Sequence, residues 1–373
     1  SILVLKAIAC CSCFVLHGQA NATMPLSVLI GCWNLGGEQI SGRDDLSDWI
    51  FSGASESSAV EASDTDTPDV VALGFQEVVG GPGRSLLKFM SDGWGFSGAS
   101  SAEVDAAVMR CLQSRGHYTQ ISSVDMIGIY LTCFAKKHVA PYIQDIDSDR
   151  IRSNAELLAG KKGAVALRFS IFGNELCFVN VHLPPGQDNI QSRTSNLCQI
   201  FAEAFQKTNI QGGERPPKHG FKRESRHALV HHTCFVFGDF NFRLTFDLTQ
   251  EPDGVARLGS PSGDLDWLRE YDQFWKVRAS TPLLRSLAES YVAFPPTYRY
   301  VIGRNQFDRK RMPAWTDRIF QFGKCVPQLQ YRSHMSMCHT SDHRPVSGLF
   351  VVPCDPSNFE HKQVDARLNL ANL

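Results

Sequence analysis

The sequence predicts a mixed α/β sandwich. Short continuous apolar runs, such as residues 69–75 (DVVALGF), are typical of strands buried on both faces. Other apolar segments are separated by turns short enough to form hairpins, and stretches with helical spacing occur between them. Because these strands and helices alternate irregularly, the pattern favours a mixed sandwich over a doubly wound parallel sheet.

Each element is predicted from its own apolar pattern. Strands are predicted at 27–32, 69–75, 126–135, 163–172, 175–183 and 234–238, with Gly173-Asn174 as a two-residue turn. Helices are predicted at 44–51, 101–114, 191–206 and 265–276, where apolar residues share one helical face. Residues 52–68 and 211–226 are polar or rich in glycine and proline, which predicts an exposed loop and an exposed insertion.

The chain has 373 residues and shows neither an internal repeat nor a linker, so one catalytic domain is predicted at 26–352. Residues 1–25 form a separate N-terminal segment, and 353–373 form a polar, peripheral tail. Residues 2–16 are mostly apolar but too few for a confident membrane span, and Ala20-Asn21-Ala22 is similar to a signal-peptidase site. A buried first strand and a signal or anchor remnant both remain open.

The composition limits the function classes. Hydrophobic content of 43% and charged content of 20% are ordinary for a soluble globular protein. The net charge of -1 argues against nucleic-acid binding by bulk attraction. The 12 cysteines include no paired CxxC spacing, which favours a reduced, intracellular compartment. Cys177 and Cys234 lie in apolar runs and are predicted to be buried as small hydrophobes.

Five short stretches place ionisable or amide side chains next to apolar, strand-like residues. They are Phe75-Gln76-Glu77, Asn180-Val181-His182, Gly238-Asp239-Phe240-Asn241, Pro313-Ala314-Trp315-Thr316-Asp317-Arg318-Ile319 and Ser341-Asp342-His343-Arg344-Pro345-Val346. This arrangement is difficult to produce by chance. Together the five stretches indicate one assembled site for phosphate chemistry.

Strand periodicity predicts which of these side chains share a face. Asp239 and Asn241 are two residues apart, so both point the same way if the segment is extended. His182 shares a face with Asn180 by the same reasoning. Asp342 directly precedes His343 and therefore faces away from it.

A carboxylate from another strand is consequently needed to orient His343, and Asp317 is the candidate. We expect a carboxylate–imidazole distance of about 2.6–3.2 Å. Glu77 ends an apolar strand, where an unpaired buried charge would be costly without water, a cation or a basic partner. Magnesium suits such a carboxylate, because it binds one or two carboxylates together with water and phosphate oxygens.

These motifs resemble those of the inositol polyphosphate 5-phosphatases, a branch of the endonuclease/exonuclease/phosphatase superfamily. The resemblance covers about residues 26–352 and implies a four-layer α/β/β/α sandwich of two packed mixed sheets. It implies that Glu77 holds Mg²⁺, with Asn34 beside the ion. Asp239 would position or deprotonate the attacking water, and Asn241 would hold a phosphoryl oxygen.

The resemblance also implies catalytic roles for the two histidines. His182 and His343 would stabilise the oxyanions of the pentavalent phosphorus, and Asp317 would pair with His343. Asp342 is included as the acidic residue of the Ser-Asp-His motif, although its direction is unfavourable. Two imidazoles and Asn241, together with Mg²⁺, would then surround one phosphorus.

The resemblance further implies how the substrate is bound. Tyr298, Arg299, Arg309 and Arg311 match positions that bind the 4-phosphate of the inositol ring, and Arg318 is predicted to bind substrate as well. Lys162, in Gly160-Lys161-Lys162-Gly163, would face a phosphate near the ring's 1-phosphate, with Lys161 as an additional charge. Leu157 and Leu158 match residues that contact acyl chains, although an ordinary helix end is an alternative interpretation.

The implied function is a Mg²⁺-dependent phosphatase that removes the 5-phosphate of phosphoinositides, soluble inositol polyphosphates or both. A metal-dependent nuclease or a sphingomyelinase of the same superfamily is the alternative, and a catalytically dead membrane-binding module is a third class. The expected partners are the inositol phosphate substrate and, transiently, a membrane surface, and we expect no nucleic-acid partner. We expect the protein to be a monomer. We expect a cytoplasmic protein, peripheral at membranes, with a secretory or anchored location left open by residues 1–25.

Overall fold

The computed structural model describes residues 24–40, 42–51, 67–78, 99–153, 162–206, 233–245, 265–308 and 310–354. The strands of the described part are β1 (Met24–Asn34), β2 (Val70–Gln76), β3 (Tyr118–Met126), β4 (Ile129–Lys136), β5 (Ile143–Arg152), β6 (Gly163–Ile171), β7 (Asn174–His182), β8 (Thr233–Asp239), β9 (Asp317–Gly323), β10 (Gln328–Ser333) and β11 (Val346–Cys354). The helices are α1 (Leu46–Phe51), α2 (Ala99–Gln113), α3 (Ile190–Glu203), α4 (Leu265–Arg269), α5 (Gln273–Arg278) and α6 (Pro282–Ser286), with a 3₁₀ turn at Ala140–Tyr142.

The strands form two mixed sheets. One sheet has the order β10-β11-β1-β2-β4-β3 and the other β5-β6-β7-β8-β9. Each sheet contains one parallel pair, β1 with β2 and β7 with β8, and every other pairing is antiparallel. The prediction of a mixed sandwich is therefore confirmed.

Alternation along the strands divides the core into three apolar layers. Val28 and Ile30 of β1 face the second sheet, whereas Leu29 and Trp33 face α1 and α2 on the outside. Val179 and other outward residues of the second sheet pack against α3 in the same way. Because each central strand is buried on both faces, it appears in the sequence as a continuous apolar run. The result is the predicted four-layer α/β/β/α sandwich.

The ends of the first sheet lie close to the predicted domain limits. β1 and β11 pair from Met24 opposite Cys354 onward, two residues outside 26–352 at each end. Residues 1–23 and 355–373 lie outside the described residues, as do the insertion at 211–226 and most of the loop at 52–68.

Within the described ranges, none of the helices combines the length and apolarity needed to cross a bilayer. The nine cysteines in these ranges are free, and Cys177 and Cys234 are buried as predicted.

Two strand predictions differ in detail from the structure. The strand predicted at 126–135 is the turn and second arm of a hairpin, because β3 ends at Met126 and β4 begins at Ile129. The turn between β6 and β7 is Phe172-Gly173 rather than Gly173-Asn174. Both turn residues have positive φ, 48° and 77°, as a type I′ hairpin requires.

The helix predicted at 265–276 is interrupted. It consists of α4 and α5, separated at Glu270–Asp272. The Asp272 carboxylate accepts a hydrogen bond from the Phe274 amide at 2.9 Å, which caps the start of α5. Apolar spacing continues through this break, so periodicity alone could not reveal it.

Asn180 fastens the two sheets together beside the strand ends. Its Oδ1 accepts from Gln76 Nε2 at 2.6 Å, and its Nδ2 donates to the Phe75 and Tyr130 carbonyls. The amide fits only because glycine lies next to it on each sheet. A Cβ at Gly74 would come within 2.5 Å of Asn180 Cγ, and one at Gly238 would meet the Val181 carbonyl oxygen at 2.2 Å.

Candidate active site

The predicted motifs meet at one edge of the sandwich. Parallel β1 and β2 both end there, with Asn34 opposite Gln76, and so do parallel β7 and β8, with His182 opposite Asp239. Antiparallel β9 starts at the same edge, with Asp317 opposite Asp239. Because parallel strands run in one direction, their carboxyl ends bring these polar side chains together.

Asp239 lies at the centre of this edge and is buried. One of its oxygens accepts from Asn34 Nδ2 at 2.9 Å, and the other accepts from the Asn241 amide at 2.9 Å. Burial, together with the charge of Asp317, raises the pKa of Asp239 to about 6, although His343 and Lys162 oppose the shift. The group is therefore a better base near neutral pH than an ordinary aspartate.

Asp317 and His343 form the predicted carboxylate–imidazole pair. Asp317 Oδ2 lies 2.9 Å from His343 Nδ1, so the predicted distance is confirmed. The same oxygen accepts from the hydroxyls of Thr297 at 2.6 Å and Thr316 at 2.9 Å. Two threonines thus hold the carboxylate that orients the imidazole. Sequence reasoning missed the role of Thr297, because an isolated threonine carries no signal of a distant partner.

His343 carries a positive charge at neutral pH. Burial alone lowers its pKa, but the carboxylates of Asp317, Asp239 and Asp342 outweigh burial and raise it to about 9. Its backbone is fixed as well, because the His343 amide donates to Ser341 Oγ at 3.0 Å, and that hydroxyl donates to the Asn34 carbonyl at 2.6 Å. The site therefore presents a held imidazolium, which suits the stabilisation of developing oxyanions.

Asp342 faces away from the imidazole, as its position next to His343 predicts. Its carboxylate lies 3.2 Å from Arg299 Nε, and Arg299 Nε also lies 3.1 Å from Asp308. Asp342 contributes to the charge around His343 from a distance. The contacts of Asp342 therefore do not support its prediction as a catalytic residue. They show instead that Asp342 is an ion-pair partner of Arg299.

His182 differs from His343 in charge. Burial, together with the positive charges of Lys162 and His343, holds its pKa well below 6.5. It is therefore neutral. Its Nε2 lies 3.5 Å from Asp239 and 3.7 Å from Glu77, but it forms an ion pair with neither carboxylate. Of the two imidazoles predicted to surround the phosphorus, only His343 is therefore charged, because one site does not keep two neighbouring imidazoliums beside a lysine.

Lys162 belongs to the centre of the site. Its Nζ lies 2.5 Å from His182 Nε2, and its side chain is buried. This position places Lys162 among the groups around Asp239. The ammonium adds a second positive charge there, together with His343.

Glu77 completes this side of the site. Its side chain is 45% exposed, and its backbone has φ +53°, a conformation that non-glycine residues seldom adopt. Asn241, on the other side of Asp239, has φ +56°. Left-handed backbone at two non-glycine residues is typical of functional sites, where the surrounding structure overrides local strain.

The Asp239–Asn241 segment is turned rather than extended. β8 ends at Asp239, and the positive φ of Asn241 removes the simple alternation expected from the sequence. The two residues still meet, because the Asn241 amide binds Asp239, while Asn241 Nδ2 donates to the Leu183 carbonyl at 3.0 Å. The prediction that both side chains share one strand face is wrong, since a turn replaces the strand.

Arg243 is a site residue that the sequence analysis missed. Its Nη2 donates to Asn241 Oδ1, and its Nε donates to the Asn241 carbonyl at 3.2 Å. Its guanidinium also lies 4.6 Å from the centre of the Tyr298 ring. The sequence does carry one signal of this role, which is the position of the arginine between Phe242 and Leu244. A charged side chain in an apolar run must find a buried partner.

We expect Arg243→Ala to lower kcat/KM roughly ten- to hundred-fold, since a charge-assisted hydrogen bond is worth about 1.5–3 kcal/mol. The loss should fall on kcat, because Arg243 orients the Asn241 amide and does not itself reach the substrate. Steady-state kinetics will separate kcat from KM. Arg243→Lys is the matched control, which keeps the charge and loses the forked contact. Equal activity of Arg243→Ala and the parent would contradict the assignment.

Tyr298 lies against the catalytic groups. Its ring centre is 4.5 Å from that of His343, and Arg243 covers it from another side. Arg299 follows it and faces Asp308 and Asp342. Arg311 is exposed, and its amide donates to the Asp308 carbonyl at 3.3 Å. The segment predicted to bind a second phosphate is therefore next to His343.

The structure contradicts the prediction that Arg318 binds substrate. Arg318 neighbours Asp317 on β9, so its side chain points to the opposite face. There it is buried, with Nη2 at 2.7 Å from Asp272 and Nε at 3.1 Å from Glu289. Its guanidinium also lies 4.8 Å from the Phe274 ring centre. Arg318 therefore has a structural role, because its ion pairs connect β9 to the start of α5.

We expect Arg318→Ala to destabilise the fold by about 3–5 kcal/mol, because it leaves buried Asp272 and Glu289 without their cation. Urea unfolding will measure the loss. Arg311→Ala removes an exposed arginine seven positions earlier and should leave the unfolding free energy nearly unchanged. If Arg318→Ala folds as stably as the parent but binds substrate less well, the structural assignment is wrong.

The donor set at this edge fits a hard cation. The Glu77 carboxylate is accessible, and it lies 3.7 Å from His182 Nε2 at the margin of the group around Asp239. Asn34 is poorly arranged as a ligand, since its Nδ2 donates to Asp239 and its Oδ1 already accepts from the Gly36 amide at 2.9 Å. Asn34 therefore orients Asp239, and the accessible carboxylate of Glu77 supplies oxygen ligands of the kind that Mg²⁺ prefers.

A second group, Asp239, Asp317 and His343, also clusters closely enough to suggest a metal site. We assign this group to the catalytic carboxylate–imidazole pair and not to a metal, because Asp317 Oδ2 is occupied by three hydrogen-bond partners and His343 Nδ1 is one of them.

Four residues of the predicted site are not among those that the structure describes. Lys161, Arg309, Leu157 and Leu158 lie outside the described residues.

Comparisons with known proteins agree with this geometry. The family model described as endonuclease/exonuclease/phosphatase family 2 matches residues 31–349. Phosphatidylinositol 4,5-bisphosphate 5-phosphatase A of Mus musculus is 30% identical over 346 residues, which cover 87% of this chain and 30% of that protein. Inositol-1,4,5-trisphosphate 5-phosphatase 1 of Schizosaccharomyces pombe is 28% identical over 348 residues, covering 91% of this chain and 28% of that protein.

The chain thus spans about 30% of the length of the curated relatives it matches. Among solved structures, it is similar to the inositol polyphosphate 5-phosphatase domain of SPsynaptojanin, which was solved with inositol (1,4)-bisphosphate and a calcium ion. That match has a TM-score of 0.69 and 25% identity, and it covers 94% of each chain. The chain therefore belongs to the endonuclease/exonuclease/phosphatase family, in the branch of the inositol polyphosphate 5-phosphatases that its motifs resemble.

Proposed function

We propose that this chain is a metal-dependent phosphatase that removes the 5-phosphate from phosphoinositides such as phosphatidylinositol 4,5-bisphosphate, from soluble inositol polyphosphates, or from both. The observation that carries the proposal is the pairing of Asp317 with His343 opposite Asp239 at one edge of the sandwich. A held imidazolium and a buried carboxylate of raised pKa supply a charge stabiliser and a base around one phosphorus.

In the proposed reaction, Asp239 holds the attacking water and accepts its proton. The bond from the water oxygen to phosphorus forms as the bond from phosphorus to the ring oxygen breaks. Phosphoryl transfer depends mainly on positioning and charge stabilisation, so a base of moderate strength is adequate. The ring oxygen takes a proton from solvent as it leaves, inorganic phosphate is released, and the proton on Asp239 returns to solvent.

Three groups stabilise the charge that develops on the phosphoryl oxygens. His343 offers a charged Nε2 hydrogen, because Nδ1 is held by Asp317. Lys162 adds a second positive charge beside neutral His182. Asn241 offers an amide hydrogen whose direction is fixed by Arg243 and Leu183. A bound Mg²⁺, held by Glu77, would neutralise phosphoryl charge as a Lewis acid.

The relatives support the choice of substrate. The mouse relative is named for phosphatidylinositol 4,5-bisphosphate and the yeast relative for inositol trisphosphate, and the synaptojanin domain was solved with an inositol bisphosphate and a divalent cation. In this chain, Arg299 pairs with Asp342, the neighbour of His343, and Arg311 is exposed in the same segment, so we propose that both meet a neighbouring phosphate of the ring. We further propose a cytoplasmic location with peripheral association at membranes, where such lipids occur.

Phosphate release from a panel of phosphoinositides and inositol phosphates tests this function, with plasmid nicking and sphingomyelin hydrolysis measured on the same sample. We expect release from 5-phosphorylated substrates in the presence of Mg²⁺ and little turnover of DNA or sphingomyelin. Nicking without phosphate release would support the nuclease alternative. The net charge of -1 makes that result unexpected, since nuclease surfaces need positive charge for the phosphate backbone.

We expect Arg311→Ala to weaken turnover of 4,5-bisphosphorylated substrates roughly ten- to hundred-fold, because it removes a charge-assisted contact worth about 1.5–3 kcal/mol. A 5-phosphorylated substrate without the 4-phosphate should be affected far less. The ratio of the two kcat/KM values is the measurement. An equal loss on both substrates would show that Arg311 does not read the 4-phosphate.

A further inference from the structure

One loop beside the active site exposes two adjacent apolar side chains. In the loop at 301–306, Val301 is 38% exposed and Ile302 is 50% exposed. The other exposed large apolar residues of the described part, Ile146, Tyr291 and Leu329, are each isolated in sequence. Single exposed apolar residues are normal, but a neighbouring pair on a loop tip beside a functional site suggests contact with an apolar phase.

The loop is firmly held, so this exposure is built into the fold. Tyr300 and Phe307 pair at its base, with ring centres 4.4 Å apart. The Val301 amide donates to the Gln306 carbonyl at 2.9 Å. From below, buried Arg344 donates to the Arg304 carbonyl at 2.7 Å. The apolar pair therefore stays at the tip and does not fold back onto the protein.

The same loop is directly connected to the catalytic edge. Arg299 and Tyr300 lead into it, and the Tyr300 amide donates to the Asp342 carbonyl at 2.9 Å, next to His343. The Gly303 amide donates to the Cys338 carbonyl at 2.7 Å, at the start of the segment that carries His343. Whatever the tip contacts is thereby held at a fixed position relative to the site.

The charge around the tip is positive. Arg304, within the loop, and Lys310, just beyond it, are both exposed. The two nearby carboxylates, Asp308 and Asp342, are both occupied by Arg299. Apolar side chains surrounded by basic residues are typical of surfaces that insert into the interface of an anionic bilayer.

We propose that the loop at 301–306, together with Lys310, docks the protein on anionic membranes and presents the active site to lipid headgroups. Val301 and Ile302 enter the interfacial region, while Arg304 and Lys310 bind the negative surface. This inference deepens the proposed function and rests on it, since docking matters for turnover only when the substrate is a lipid. A protein partner with an acidic rim is the competing occupant.

Vesicle sedimentation tests the docking without any need for activity. The probes are vesicles of phosphatidylcholine alone and of phosphatidylcholine with phosphatidylserine. Val301→Ser/Ile302→Ser should bind the mixed vesicles roughly tenfold more weakly than the parent. Arg304→Gln should lose about fivefold, on anionic vesicles only, and this difference should shrink in high salt.

Leu329→Ser is the matched control, because Leu329 is 62% exposed on β10 and contributes nothing to the site. It should bind vesicles like the parent, and all variants should unfold at the parent's temperature, since the altered side chains are exposed. If Val301→Ser/Ile302→Ser binds mixed vesicles as tightly as the parent, the membrane proposal is overturned, and the loop is free for a protein partner.

A second comparison separates docking from catalysis. The double variant should hydrolyse soluble inositol trisphosphate like the parent but act roughly tenfold more slowly on phosphatidylinositol 4,5-bisphosphate in vesicles. Equal losses on both substrates would overturn docking as the cause. If the parent releases phosphate from neither substrate, the proposed function fails, while sedimentation still decides whether the loop binds membranes.

Discussion

Asp317→Asn is expected to lower kcat by up to about 10⁴-fold, the loss known for replacing the carboxylate that orients a catalytic histidine by an amide. The amide cannot hold His343 in its charged form, because it offers no negative charge at 2.9 Å from Nδ1. Substrate binding should change little, since Asp317 is buried behind the imidazole. Steady-state kinetics on the preferred inositol phosphate will measure both effects.

The pH profile distinguishes this role from general damage. In the parent, activity should fall as pH rises through about 9, because His343 then loses its proton. Removing the Asp317 charge lowers the pKa of His343, so the alkaline limb of Asp317→Asn should move to lower pH. A mutant with an unchanged alkaline limb would contradict the pairing.

Two further variants sharpen this prediction. Asp342→Asn removes an equal charge from the neighbour of His343, but its carboxylate faces Arg299, so kcat should change far less. The double variant Asp317→Asn/His343→Ala should be little worse than either single variant, because residues that act as a unit are not additive. If the two losses multiply, Asp317 and His343 act independently.

Glu77→Gln is expected to abolish most Mg²⁺-dependent turnover while the fold remains intact. The substitution removes the accessible carboxylate charge that would hold the ion and leaves the shape of the side chain nearly unchanged. Because Glu77 is 45% exposed, its replacement should not alter the unfolding temperature. Activity across a Mg²⁺ titration and direct calorimetric binding of Mg²⁺ will measure the effect.

The matched control is Glu38→Gln, an equal change of charge at an exposed residue of the loop after β1. It should bind Mg²⁺ and turn over substrate like the parent. Near-normal activity of Glu77→Gln at low Mg²⁺ would show that another residue holds the ion. Loss of activity with unaltered calorimetric binding would also contradict the metal assignment and would point to a role for Glu77 in contact with water or substrate.

Much of this protein could be predicted from local sequence. β2 and β8 are visible because strands buried on both faces are continuously apolar. The candidate catalytic and metal-binding residues can be recognised in the sequence because each interrupts or ends such a run, as Glu77 and Asp239 do. Asp317 could be chosen as the partner of His343 because Asp342 is its direct neighbour and must face elsewhere. The edge strands β3 and β5 were missed, since their half-exposed, mixed patterns lack a clear period.

The sequence by itself therefore determined the fold class, the edge at which the polar side chains gather and the pairing of Asp317 with His343. Only the tertiary structure decided which charged neighbours are functional and which are structural. Arg318 is buried against Asp272 and Glu289, residues distant in sequence, and Arg243 holds Asn241 across a turn that alternation does not reveal. The structure also decided that His343 is charged and His182 neutral. Local order along the chain defines direction and period, whereas charge states and partners depend on burial and on groups that only folding brings together.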